Sequence, residues 1–216
     1  MLIDRKGEVL IASDMGANAE LRRSEIEAAR EAMKRARFFM TQFELPHELA
    51  LFALRLAKRL GLTTVLTPAP MPDLVTGQLD FVDIVTPNES EARILAGHDP
   101  GAEVGVAELA NRIRSRWGIA NVVITRGAGG VHAYCGGRHH ELPAFRVEAV
   151  NTTGAGDAFT AGLVVALCRG ADWPQALQVA SAVAAISVRV DATWRSYPTA
   201  EQVRAFLAER GLGCPW

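Results

Sequence analysis

The stretch NTTGAGDAF, Asn151 to Phe159, sets three small residues and one carboxylate at the mouth of an apolar run. The run it opens, GDAFTAGLVVALCRG, reads as a helix. The first N–H groups of a helix lack intrahelical partners and carry partial positive charge. Gly154, Ala155 and Gly156 put no bulky side chain in front of those groups, so an anion can approach them directly. Such a loop is a cradle for a phosphoryl group whose charge grows during transfer. Asp157 lies in the same field, which favours its ionised form. An ionised carboxylate there can take the proton of a hydroxyl as its oxygen attacks phosphorus. The same residues admit a plainer reading, in which Asp157 caps the helix and the glycines turn the chain.

Two other stretches could do chemistry. TRGAGG, Thr125 to Gly130, follows one strand and precedes another. It is not a dinucleotide fingerprint, because His132 stands where the last glycine of G-x-G-x-x-G would fall. Nor is it a P-loop, since no G-K-[ST] follows. Alone it reads as a hairpin turn. TPNESE sets Asn88 and Glu91 three apart at a strand-to-helix junction. Residues so spaced share a helix face, and an amide with a carboxylate can hold a hydrated Mg²⁺. The alternative is a helix cap by Asn88 with Glu91 as its first-turn acid.

The elements that must position these groups alternate. Residues 38–42, 63–67, 81–86 and 121–125 read as strands, and FRVEAV (145–150) as the strand leading into the opening loop. Helices fall between them: one capped by Ser24 with Glu27, one opened by Pro46 and stopped at Gly61, and two ended by Gly97 and Gly118. Gly136-Gly137 marks a hairpin. Helices return at residues 156–170, 173–190 and after Thr199, which caps with Gln202. This order predicts an α/β fold in three layers, with a mostly parallel central sheet covered on both faces. Ligands bind such sheets at the carboxyl ends of the strands. A single domain over residues 1–216 accounts for the whole chain.

Composition narrows the partners. Apolar residues make up 49% of 216, enough for a packed core, and the net charge of −1 comes with no basic stripe, which argues against nucleic acid. Cys135, Cys168 and Cys214 have no metal or disulfide spacing and read as reduced thiols of a cytoplasmic protein. No run approaches the roughly 18 apolar residues of a membrane span. The opening MLIDRKGEVLI interrupts its apolar residues with charges, unlike a signal peptide.

Taken in order, the pieces resemble the ribokinase-like (PfkB-type) family of sugar and nucleoside kinases. VNTTGAGDAFTAGL is similar to that family's second signature, TPNESEA to its N-x-x-E element, and VVITRGAGGV to its T-x-G-x-x-G nucleotide loop. GANAEL, FFMTQFELP and TPAP resemble ribokinase members at the corresponding places. The resemblance implies ATP-dependent phosphorylation of a sugar hydroxyl, with Mg²⁺. It implies Asp157 as base and Gly154, Ala155 and Gly156 as anion hole. It places Asn88, Thr125, Arg126, Gly127, Ala128, Gly129, Gly130, Gly156 and Ser181 at the nucleotide, Glu91 on Mg²⁺ through water, and Glu44 with Asp157 at the sugar.

Two departures qualify that picture. The chain resembles the family from its middle onward, so the N-terminal third and most of the β lid are expected to be absent. That would weaken sugar binding and water exclusion and leave apolar sheet surface open to homodimerisation. Asn151 also stands where the family carries an acid that helps hold a monovalent cation, K⁺. Thr153, Ser187, Val190, Ala192 and Ser196 fall at its other contacts. Asn151 brings an oxygen but no charge, so that site is expected to be weakened. A rival from another class is a non-catalytic nucleotide-binding remnant or subunit. A lesser one is a nucleoside or sugar-phosphate kinase of the same family.

Overall fold

β-Branched and apolar residues pair into short strands wherever turn residues bound them, and the amphipathic stretches between close as helices. The computed structural model describes residues 2–3, 9–10, 14–71 and 78–215. β1 (Leu2–Ile3) and β2 (Val9–Leu10) form an antiparallel pair of their own. α1 (Arg23–Ala28) and α2 (Arg30–Met33) follow. Then come β3 (Phe38–Thr41), α3 (His47–Arg59), β4 (Thr63–Leu66), β5 (Ile84–Val85), α4 (Glu89–Ala96) and α5 (Val106–Trp117). β6 (Asn121–Thr125), β7 (Val131–Cys135) and β8 (Arg138–Leu142) complete the sheet. α6 (Ala155–Cys168), α7 (Trp173–Ser187) and α8 (Ala200–Ala208) close the chain.

Among the described residues, the main sheet has six strands in sequence order, β3 to β8. β3 to β6 run parallel, and β7 and β8 add antiparallel. Alternate strand residues divide between two cores, as the period of two requires. Leu66, Val85, Val122 and Ile124 pack on one face with Leu54 of α3, Leu95 of α4 and Ile113 of α5. Val65, Ile84, Val123 and Ala133 pack on the other with Leu163 of α6, Leu177 of α7 and Phe206 of α8. This is the three-layer α/β arrangement expected of the sequence. Gly162 of α6 lets α7 approach closely, since a Cβ there would stand 3.0 Å from Val183.

Three local expectations change. α1 starts two residues early: the Arg22 N–H donates to Glu25 at 2.8 Å, so Glu25, not Glu27, completes the first turn. The strand expected over 81–86 shrinks to β5, because the Val82 N–H donates to Leu79 O in a turn that delays the ladder. FRVEAV forms no strand. Pro143, which has no N–H to give a ladder, takes the chain off the sheet after β8. Phe145 and Val147 then pack against the second core from outside the sheet.

Candidate active site

With FRVEAV off the sheet, the opening loop reaches the carboxyl edge by another route. Thr67 and Thr86 follow β4 and β5 directly, and their hydroxyls lie 2.9 Å apart. Thr160, on the second turn of α6, places its Oγ1 3.0 Å from Thr86 and 3.3 Å from Thr67. The same hydroxyl donates to Gly156 O at 3.0 Å. Three threonine hydroxyls thus dock the start of α6 over the ends of two parallel strands, where ligands bind such sheets. Sequence reasoning passed over them, although each strand-end threonine directly follows its strand.

The helix begins abruptly. Gly154 is its N-cap at φ +80°, a conformation that disfavours any side chain. Ala155 N–H turns back to Thr152 O at 3.1 Å. Among the described residues, the N–H groups of Gly156 and Asp157 have no acceptor, as the helix start dictates. Beside them a cleft of about 310 Å³ is lined by Met40, Thr41, Gln42, Thr67, Asp157 and Thr160. Asp157 reaches water through the cleft mouth. The walls nonetheless strip its hydration and push its pKa above the ordinary aspartate value. That reverses the expectation from the helix end alone: desolvation outweighs the favourable field. A base raised toward neutrality accepts a proton more readily.

Asn88 and Glu91 form the helix cap that was the plainer alternative. The Asn88 N–H donates to Glu91 Oε2 at 2.8 Å, and the Asn88 side chain donates to Oε1 at 2.9 Å and accepts from the Glu91 N–H at 2.9 Å. Burial first, and the nearby charge of Asp157 last, raise the Glu91 pKa against the lowering effect of that cap. Glu91 therefore lies in the electrostatic field of Asp157. Residue 88 also bridges Thr125 in parallel, and Thr125 N–H donates to Pro87 O at 3.0 Å. The two motifs meet at the end of β6.

The loop after Thr125 is the tight turn between β6 and β7. Arg126 N–H donates to Gly130 O at 2.8 Å, and Gly130 N–H to Gly127 O at 3.1 Å. Gly127 to Gly129, with Ala128 between, make a single 3₁₀ turn. The Arg126 side chain folds against Gly129 of the loop, and its guanidinium lies 3.3 Å from Glu141 and 3.7 Å from Glu89. Ser181 is half-buried on α7. Glu44 is exposed between β3 and α3 and does not line the cleft, whereas Met40, Thr41 and Gln42 just before it do.

The residues that the family resemblance sets at a monovalent cation lie in the loop before α6 and at the link between α7 and α8. Asn151 Oδ1 accepts the Thr153 N–H at 2.9 Å, and its Nδ2 donates to Asp191 at 2.9 Å. Ser187 Oγ donates to Ala184 O, Ser196 Oγ donates to Thr193 O, and Val190 O accepts the Ala192 N–H. Asp191 and Tyr197, in the same link, carry contacts that the sequence did not single out. Tyr197 Oη lies against Gly154, 2.7 Å from where a Cβ would stand. All three cysteines are unpaired, and burial pushes the Cys135 thiol up to about 12. Among the described residues, no helix is long and apolar enough to cross a membrane.

Known proteins share this fold. A ribokinase of Haemophilus influenzae is 34% identical over 202 residues, covering 94% of this chain and 65% of its own length. The crystal structure of a Thermotoga maritima ribokinase superposes with a TM-score of 0.84 at 31% identity, over 95% of this chain and 67% of that one. An Arabidopsis thaliana ribokinase, solved with ribose and ATP, shares the fold with a TM-score of 0.81 at 24% identity, over 94% of this chain and 66% of its own. The chain thus spans just under two thirds of the length of the ribokinases of Haemophilus influenzae and Staphylococcus aureus. The family model described as pfkB family carbohydrate kinase matches residues 1–200, and with the α6 loop, the Asn88–Glu91 pair and the Thr125 loop gathered at one sheet edge, this chain belongs to that family.

Proposed function

We propose that the chain carries the nucleotide-binding and catalytic-base portion of an ATP-dependent kinase acting on a sugar hydroxyl. One observation carries this reading: Asp157, with its pKa raised, lines a cleft at the strand ends beside the unpartnered amides of Gly156 and Asp157. The sugar hydroxyl gives its proton to Asp157. Its oxygen attacks the γ-phosphorus of ATP in line, the bond to the bridging oxygen breaks, and ADP leaves. The amides at the start of α6 hold the charge on the transferring group. Gly154 and Ala155 shape that cradle, and Thr125 to Gly130 with Asn88 and Ser181 border the nucleotide. Glu44 contacts the sugar from beyond the cleft rim, where the described lining ends.

The residues fit a hydrated Mg²⁺. Glu91 lies within the field of Asp157, and burial raises both pKa values, a shift that a nearby dication would relieve. Glu91 would hold the ion through water, and the ion would supply charge neutralisation at the phosphates. The substrates are small molecules, a sugar and ATP. A second copy of the chain is the one macromolecular partner in this reading. It would pair along β3, an edge of the main sheet with Met40 46% exposed. Sedimentation velocity is expected to show a dimer that grows with concentration; monomer throughout removes this partner.

The pH profile tests the base. Only deprotonated Asp157 accepts the proton, so kcat/KM rises with pH through its pKa in the free protein. Burial raises that pKa, so the acid limb is expected above the ordinary aspartate value of 3.8. A limb at or below that value, or none, removes Asp157 from the role.

A further inference from the structure

The loop that cradles the anion is fastened to the α7–α8 link by direct contacts along its length. Val188 O accepts two N–H groups, from Val150 at 2.7 Å and Asn151 at 3.1 Å. Asn151 then spans the gap with its side chain. Its Oδ1 takes the Thr153 N–H at 2.9 Å, which leaves Nδ2 to donate to Asp191 Oδ1 at 2.9 Å. A carboxamide can accept on one side and donate on the other; a carboxylate can only accept. At the far end of the link, Tyr197 fills the notch that Gly154 leaves open. Residues 188, 191 and 197 thus grip residues 150, 151 and 154.

The Asn151 side chain, which the family resemblance sets beside a monovalent cation, is meanwhile engaged. Both ends of the Asn151 amide are used, the hydroxyls of Ser187 and Ser196 donate to the carbonyls of Ala184 and Thr193, and Val190 O accepts from Ala192. With no charge at 151 and both ends of its amide committed, Asn151 is not set to hold K⁺. We infer that Asn151 and Asp191 are positioning residues: their hydrogen bond staples the phosphoryl cradle to the α7–α8 link and makes a monovalent cation unnecessary. The inference rests on reading residues 151–157 as that cradle. An acid at position 151 would keep the Thr153 contact but confront Asp191 with a second carboxylate across a hydrogen-bond distance. Two carboxylates so close cannot both stay charged without a cation between them. In this cluster residue 191 carries the negative charge and residue 151 the donor, and a charge-assisted hydrogen bond takes the place of ion bridging.

A charge-swap series tests this. Wild type, Asn151→Asp and the double variant Asn151→Asp/Asp191→Asn are melted in KCl and in tetramethylammonium chloride at equal ionic strength. Wild type is expected to unfold at the same temperature in both salts, within about 1 °C. Asn151→Asp is expected to melt about 2–4 °C or more higher in KCl. The double variant, which restores a donor opposite an acceptor, is expected to lose that dependence. A wild type that gains from KCl as much as Asn151→Asp does, or an Asn151→Asp protein indifferent to KCl, overturns the staple. Should Asn151→Asp fail to fold, the wild-type comparison alone decides. Melting needs no turnover. A wild type indifferent to KCl that never releases ADP therefore sinks the kinase reading and leaves the staple standing. One whose ADP release rises several-fold with KCl does the reverse.

Discussion

Replacing Asp157 with asparagine is expected to lower phosphoryl transfer to a sugar by about 10²–10⁴-fold, the usual worth of a positioned general base. The measurement is ADP release in a coupled assay across a panel of sugars. Asparagine keeps the shape of the side chain and its place on the first turn of α6, so nucleotide affinity is expected to stay within a few-fold of wild type. Stability separates this loss from unfolding. The folded-state pKa of Asp157 is raised, so the native chain binds its proton more tightly than the unfolded chain does. Its contribution to stability is therefore unfavourable above the folded pKa and is relieved as the pH falls through it. Asp157→Asn removes the partly desolvated charge. It is expected to melt higher than wild type at pH 7, with the gap closing toward pH 4. Lost turnover with a raised melting temperature supports the base. Unchanged turnover would remove Asp157 as the base, and nucleotide binding with no turnover in either protein would leave the rival reading, a nucleotide-binding protein without phosphotransfer of its own.

Gly130→Ala is expected to destabilise the fold by about 3–5 kcal/mol, lowering the melting temperature by roughly 10 °C. Gly130 has φ +86° and ψ −137°, a region open essentially to glycine alone. A Cβ there would stand 2.1 Å from Leu142 O and 2.7 Å from Ala144 N. Both are backbone atoms at the point where the chain leaves β8, so no rotamer change relieves the clash. The Arg126–Gly130 hydrogen bond that closes the turn would break with it, and the loop beside Asn88 would lose its shape. Gly127→Ala is the control. Gly127 also has positive φ, +50°, but nothing lies within 4 Å of its added Cβ. It is expected to cost about 1–2 kcal/mol. Equal melting temperatures for the two variants would show that the crossing of β8 over the turn is not what fixes this glycine.

Local chemistry was readable from the residues in order. Helix ends at Gly61, Gly97 and Gly118 all adopt left-handed backbone, as a C-terminal glycine stop requires. Thr199 and Gln202 cap α8 as their spacing predicts. Thr125 closes β6, and Gly136-Gly137 turns β7 into β8. These signals act over a few residues, so the sequence carries them whole. The misreadings also share a cause. FRVEAV has a strand's pattern, but Pro143 and the packing of Phe145 and Val147 take it off the sheet. The helix dipole suggested a readily ionised Asp157, but the cleft walls reverse the direction.

The chain by itself determined the order of its elements, the free amides at the start of α6 and the presence of a carboxylate among them. The gathering of that carboxylate with Thr67, Thr86 and Thr160, the reach of its charge to Glu91, and the Asn151–Asp191 staple were decided only in three dimensions. Hydrogen bonds across 74 and 40 residues exist only once the sheet has set the strand ends side by side. Desolvation likewise depends on which walls close around a group, and no run of neighbouring residues records that.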